Sequence, residues 1–302
     1  MFESIKRGFG FVGQALDMAH KDGDLIKPSI YGLFVGAVAS LLSSIPLILL
    51  VLLLGGTDSG NVALGIAGAI LIFIQYAIAY IFSAMTAYLV YGYVAEGDGR
   101  MDKAWAIVRR DWWDILSLAA VSTLVKLVEN FARGRGRRGR PNPLGVLIAD
   151  LLNTVWTTAT YFILPAMVIE DLNLAGGIRR ATEIVKKNLL LVAVTEIGVS
   201  TVVNLVGGLL GFLSVLLGVA IALGLAATGN EIALITGIIL GVLVAGTLLA
   251  IISAFSSYLN TAYHTCMFLW ARSAERAVAQ GQSVESVPAP APLAAVLGLK
   301  PA

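Results

Sequence analysis

The chain has 302 residues, 58% of them hydrophobic and only 13% charged, with a formal net charge of +2 and a mean hydropathy of +0.85. That balance excludes a large soluble domain, and so small a net charge names no partner by itself. The single cysteine, Cys266, excludes an internal disulfide and a cysteine metal cluster, and with only His20 and His264 beside it no structural zinc site, and no other cofactor, is expected.

Residues Phe2 to Ala19 carry Ile5, Phe9, Val12, Leu16 and Ala19 at a 4-3-4-3 spacing, one apolar stripe of a helix, with Lys6, Arg7, Asp17 and Lys21 on or beside the polar side. Two readings of this helix stand: it lies in the membrane interface, or it packs on its own protein. The apolar run behind it is too long for the core of a cleavable signal peptide. No charged residue occurs between Lys27 and Asp58, nor between Asp58 and Glu96. A helix needs about 20 apolar residues to cross a bilayer core. A first span is therefore predicted from about Ile30 to Leu54, kinked at Pro46, then a tight turn over 55–60, then a second, over-long span from about Val62 to Val94.

An amphipathic helix is predicted over Met101 to Arg110, ending at Asp111-Trp112-Trp113, where paired tryptophans beside charges suit the headgroup boundary. A third apolar segment covers about Trp113 to Phe131 and a fourth about Leu144 to Val168. Another amphipathic helix runs from Leu174 to Lys187 with Ile178, Ala181 and Val185 on one side. The fifth span starts near Leu189 and ends before Thr228-Gly229-Asn230, and the sixth runs from about Ile232 to Trp270. Residues 280–302, rich in Pro and Ala and without a period, are expected to be extended, with Pro292 to Leu299 as a docking peptide.

An internal similarity organises these elements. Ile107-Val-Arg-Arg-Asp111 reappears as Ile184-Val-Lys-Lys-Asn188, and Val121-Ser-Thr-Leu-Val-Lys-Leu-Val128 as Val199-Ser-Thr-Val-Val-Asn-Leu-Val206. The fold expected is an all-α, polytopic membrane protein with six transmembrane helices, arranged as three repeats of an interfacial helix plus a transmembrane hairpin. The units are 1–95, 96–169 and 170–272 within one membrane domain, followed by a cytoplasmic Pro/Ala-rich tail, 273–302.

Basic residues set the expected orientation. Lys6, Arg7, Lys21 and Lys27 precede the first span, and Arg100, Lys103, Arg109 and Arg110 fill the 95–112 connection. Arg179, Arg180, Lys186 and Lys187 fill the 169–188 connection, while the turns at 55–61 and 227–231 carry none. Both termini are thus expected in the cytoplasm, in the cytoplasmic (inner) membrane of a prokaryote. One loop breaks the pattern: Arg133, Arg135, Arg137, Arg138 and Arg140 fall where parity places the outside. Either both flanking segments cross and the loop is exposed, or they form a re-entrant hairpin. The third segment, with Lys126, Glu129 and Asn130, favours the hairpin; the repeat favours six spans, and six are expected.

Ionisable groups inside a bilayer are costly and stand as candidate functional residues. They are Lys126, Glu129, Asp150 and Glu196. Helix rise puts Lys126 and Asp150 at similar depth, which predicts an ion pair between them, structural or functional. Glu196 lies about two turns into the fifth span, where His264 is the group able to approach it. Asn153, Asn204, Asn260 and the Thr157-Thr158-Ala159-Thr160-Tyr161 run are expected to bond between helices. Gly32-xxx-Gly36, Gly207-xxx-Gly211 and Gly237-xxx-Gly241 are packing signatures, within or between protomers. Arg109, Arg110, Lys186 and Lys187 are candidate contacts for anionic lipid headgroups. The Arg-Gly loop is read as solvated, with no nucleic-acid partner. No Walker loop, GxSxG elbow or HExxH occurs, and the adjacent acids Asp22/Asp24 and Glu170/Asp171 read as helix caps.

Trp156-Thr-Thr-Ala-Thr-Tyr-Phe-Ile-Leu-Pro165, then Ile169-Glu170, Ile178-Arg-Arg-Ala-Thr182 and Lys186-Lys187 resemble a family of uncharacterised bacterial and archaeal polytopic membrane proteins. The pattern also resembles the membrane domain found beside some glycerophosphodiester phosphodiesterases. Lys6-Arg7-Gly8-Phe9, Asp22-Gly-Asp-Leu-Ile-Lys-Pro28 and the stretch Tyr263 to Glu275 fit the same family, whose usual Trp after the basic helix is replaced by Leu189. The resemblance implies a six-helix membrane fold and no reaction. The function expected is that of a non-enzymatic membrane scaffold that self-associates or binds a membrane partner. The alternatives are a transporter or channel for a small solute or ion, and a lipid-handling membrane protein.

Overall fold

The computed structural model describes residues 2–55, 57–133, 143–187 and 189–297, except for the side chains of 2–5, 187, 189–198, 200 and 285. Among them run α1 (Phe2–Lys21), α2 (Lys27–Leu54), α3 (Asp58–Glu96), α4 (Met101–Arg110), α5 (Trp112–Ala132), α6 (Pro143–Glu170), α7 (Leu174–Lys187), α8 (Leu189–Ala226), α9 (Glu231–Ala279) and α10 (Ala291–Leu297), with no strand. Six helical segments are long and apolar enough to cross a membrane, those of α2, α3, α5, α6, α8 and α9. The weakest predicted span, α5, has 21 residues. That is about 31 Å of helix, as long as a hydrocarbon core of about 30 Å is thick.

Local chemistry sets the helix ends. The Thr57 hydroxyl accepts from the Gly60 N–H at 3.0 Å to start α3, and the Asn230 side chain accepts from the Ile232 N–H at 2.9 Å to start α9. Gly97 closes α3 at a φ of 78°, the left-handed cap position that glycine fills without strain. The Asp22 carboxylate takes two backbone N–H groups, that of Asp24 at 2.9 Å and that of Gly99 at 2.6 Å. It is therefore a cap, as expected, and also a tie from the α1–α2 joint to the α3–α4 loop. Neither Glu170 nor Asp171 caps a helix through its carboxylate: Glu170 accepts from Arg180 at 2.9 Å, and Asp171 pairs with Arg110 at 3.1 Å.

The buried side chains gather at one end of the bundle. They come from Phe82–Val90 of α3, Ile115–Ala119 of α5, Thr160–Val168 of α6 and Tyr258–Ala277 of α9, where α1, α4, α7 and α10 pack around them. Towards the other end the helices show bare aliphatic faces, with Leu52 at 75% and Leu53 at 77% exposure. A hydrocarbon solvent makes such faces stable and water does not.

Two expectations change. First, the α1 stripe that the protein buries is Gly8, Phe11, Ala15 and Met18, while Phe9 and Leu16 of the predicted stripe stay exposed. Apolar groups cover a wide arc of this helix. Phe11 sits edge-on to Tyr263 at 5.3 Å and the Ala15 carbonyl accepts from the Tyr258 hydroxyl at 2.8 Å, so packing against α8, α9 and α10 selects the face. Second, the tail is not extended. The α9 helix continues to Ala279, and α10 buries Pro292, Leu293, Ala294 and Val296 against α1, α8 and α9. Seven residues are too short to show a period, and docking supplies what the sequence pattern lacks. The three glycine motifs, read as packing within or between protomers, pack within this one chain: Gly32 meets Phe82, Gly207 meets Ser256, and Gly237 meets Leu225.

Candidate binding cavity

A cavity of about 360 Å³ lies in the middle of the bundle between α3, α5, α6 and α9. Along α3 it extends from Tyr76 to Ala87, about 16 Å of helix, and Tyr76 is near the midpoint of α3. One end holds Lys126, Glu129 and Asn153; the other holds His264 and Pro165. Asn153, Thr157 and Ser257 are exposed along its rim, so the cavity is open between α6 and α9.

Ser122 fixes two of its walls. The indole N–H of Trp156 donates to the Ser122 Oγ at 2.9 Å, and the Tyr80 hydroxyl shares a 2.7 Å hydrogen bond with the same oxygen. One serine on α5 thus holds an aromatic ring from α3 and another from α6. Tyr76 stacks on Tyr80 with centroids 5.6 Å apart, which extends the α3 wall by a second ring. At the opposite end Tyr161 stacks on His264 at 4.0 Å, and Phe162 and Tyr263 meet the imidazole edge-on. His264 is 1% exposed, and its Nδ1 lies 2.7 Å from the Asn260 carbonyl, a bond in which that nitrogen carries the proton.

The expected Lys126–Asp150 pair does not form. Lys126 donates to Glu129 at 2.8 Å, one turn along α5, while Asp150 is held by Arg133. Arg133 also reaches Glu129 at 2.8 Å, so the four groups form a chain, Lys126–Glu129–Arg133–Asp150, that ties α5 to α6. An i,i+3 neighbour is always within reach on a helix, whereas a partner on another helix depends on rotation about its axis. The carboxylate of Glu129 is 3% exposed and balanced by two cations, the arrangement a buried charge requires.

The remaining candidates scatter. Glu196 belongs to α8, but its side chain lies outside those described, and its approach to His264 with it. Lys187 ends α7 with its side chain likewise outside, and Arg135 to Arg140 lie outside the described residues. Of the proposed headgroup contacts, Arg109 and Lys186 are exposed. Arg110 is instead committed to Asp111 at 2.6 Å and to Asp171, and the Asp111 hydrogen bond raises the guanidinium pKa. At the same end Arg180 joins three helices, reaching Glu170 of α6 at 2.9 Å and Glu275 of α9 at 2.7 Å. Burial works against its charge, but the hydrogen bonds to Glu170 and Glu275 outweigh it and raise the pKa.

Sequence reasoning named Lys126, Glu129, Asn153, Asn260, His264 and the Thr157 to Tyr161 run, but not the walls formed by Tyr76, Tyr80 and Trp156. Asn153 and Thr157 face the cavity, and Thr160 bonds the Trp156 carbonyl of its own helix at 2.8 Å. Tyr76, Tyr80, Ser122 and Trp156 carried one signal that was readable. Tyr76 and Tyr80 stand one turn apart, with polar Gln75 beside them, in an otherwise aliphatic span.

No family model matches the chain, and no curated protein matches it.

Proposed function

We propose that this chain is a membrane carrier that binds a small organic solute in the α3/α5/α6/α9 cavity and passes it through the bundle. The observation that supports this reading is the cavity itself. It has the volume of a small-molecule site, mostly apolar walls and a few convergent polar groups, and it sits at mid-length of the spans, where transporter sites are built. The buried Glu129 with its two cations at one end and an aromatic-packed histidine at the other are costly features for a helix bundle that serves only as a support. Gly32, Gly207 and Gly237, which could have served self-association, meet side chains of the same chain.

The same reading takes the protein as three units of one plan: α1 with the α2–α3 hairpin, α4 with α5–α6, and α7 with α8–α9. The short helices lie on the cytoplasmic face of a prokaryotic inner membrane, and both termini are cytoplasmic. Exposed Arg109, Lys186 and Trp113, the last 79% exposed, face the headgroups there. No reaction is assigned to the chain.

The test uses reconstituted protein. Uptake of a panel of small labelled solutes into proteoliposomes is compared with that of a Thr157→Phe variant, which fills the rim of the cavity. At least one solute is expected to enter faster than into empty liposomes and to lose that excess in the variant. Equal rates in protein-containing and empty liposomes across the panel, together with a discrete oligomer in mild detergent, would return the scaffold reading to first place.

A further inference from the structure

We infer that the cavity takes an organic anion with a flat apolar body, its negative group on the Lys126 ammonium and its ring against the walls formed by Tyr76, Tyr80 and Trp156. This rests on the reading of the cavity as a solute site and adds the sign of charge and the shape of what enters it.

The charge follows from counting hydrogen-bonding capacity. Lys126 and Glu129 both line the cavity, but they are not equally available. Glu129 is 3% exposed, with one oxygen held by Lys126 at 2.8 Å and the other by Arg133 at 2.8 Å. Lys126 is 33% exposed and gives one N–H to Glu129, while an ammonium has three to give. The group presented to the cavity is therefore the cation, with the carboxylate behind it. An anion arriving at Lys126 also orphans nothing, because Glu129 keeps Arg133. A cation arriving at Glu129 would have to displace one of two cations already in place, and no other carboxylate is among the described residues lining the cavity. Inside a helix bundle, where the dielectric is low, a charge-assisted hydrogen bond to the ammonium outweighs a neutral one.

The shape follows from the walls. Trp156 and Tyr80 are fixed through the one Ser122 oxygen, and Tyr76 is stacked on Tyr80. Rings held this way do not have to be ordered when a ligand arrives, so binding loses less entropy to them than to mobile side chains. Aromatic rings lining a cavity accept a planar body by stacking or edge contact, and about 360 Å³ is ample for a single ring bearing an acid.

The experiment measures equilibrium binding of radiolabelled benzoate, benzylammonium and benzyl alcohol to the full chain in nanodiscs, with empty nanodiscs subtracted. The three probes share a ring and differ in charge. Saturable benzoate binding is expected, with benzylammonium much weaker, and a loss of about tenfold in benzoate affinity in Lys126→Met, equivalent to about 1.4 kcal/mol. Lys126→Arg keeps the charge and is expected to retain more affinity than Lys126→Met. If Lys126→Met fails to give monodisperse protein, the wild-type preference and the Arg variant decide. Benzylammonium binding as tightly as benzoate, or equal benzoate affinity in wild type and Lys126→Met, overturns the inference and leaves the carrier reading intact. Saturable binding by none of the three overturns the inference, and the uptake panel then decides the carrier reading.

Discussion

Asp171 stands at φ 55°, the one non-glycine residue with a positive φ among those described. It occupies the left-handed position after α6, where the Leu172 N–H returns to the Met167 carbonyl at 3.2 Å and closes the helix. An L-residue loses about 1 kcal/mol there relative to glycine. Its pair with Arg110 returns little, because the carboxylate is 70% exposed and screened. Asp171→Gly is therefore expected to stabilise the protein by about 0.5 kcal/mol or more, read as a higher midpoint of thermal unfolding in detergent. A lower midpoint would mean that the Arg110 pair outweighs the strain. Sequence reading placed a cap at Asp171 because an acid at a helix end usually is one, but the residue follows the helix instead of starting it. A similar limit applies to Lys126, whose two candidate acids differ by a helix rotation that no sequence spacing reports.

At the scale of elements, α10 is the largest departure from expectation. Leu293 is fully buried in the contact of α10 with α1 and α9, and the Ala295 Cβ lies 3.5 Å from where a side chain on Gly10 would begin. Leu293→Ala is predicted to remove about 3 kcal/mol from this docking. Amide exchange across residues 291–297 should then speed up strongly while the spans stay protected. Unchanged exchange in that segment would show that α10 is held by something other than this side chain. The α8–α9 hairpin makes the opposite point. Gly218, Gly237 and Gly241 bring its helices so close that a Cβ on Gly218 would meet the Gly241 carbonyl at 2.6 Å. That tight crossing was legible as a glycine motif, and only its partner was not.

For the whole molecule, the testable matter is which way the bundle sits. Ser59 is exposed in the first turn of α3, next to the α2–α3 turn, and Gln282 follows α9 at the other end. With both termini cytoplasmic, a membrane-impermeant maleimide added to intact cells labels Ser59→Cys and leaves Gln282→Cys unlabelled until the membrane is opened. The native Cys266 is buried and stays silent. The reverse pattern would invert the topology and place the exposed Arg109 and Lys186 on the outer surface.

Apart from α10 the elements were legible: α4 and α7 match their expected bounds, and the six spans differ by a few residues, except where α9 runs on to Ala279. Length without charge, turn chemistry at Thr57 and Asn230, and the apolar period of a helix are local properties, and local properties are written in the chain. The cavity was legible only in its polar members. Its aromatic walls, the Ser122 tie, the Glu129 partner of Lys126 and the face that α1 buries depend on how each helix is rotated against its neighbours. Rotation is decided by packing among residues far apart in sequence. In a chain so uniformly apolar, many faces of each helix would serve equally well against lipid, so only the tertiary contacts select one.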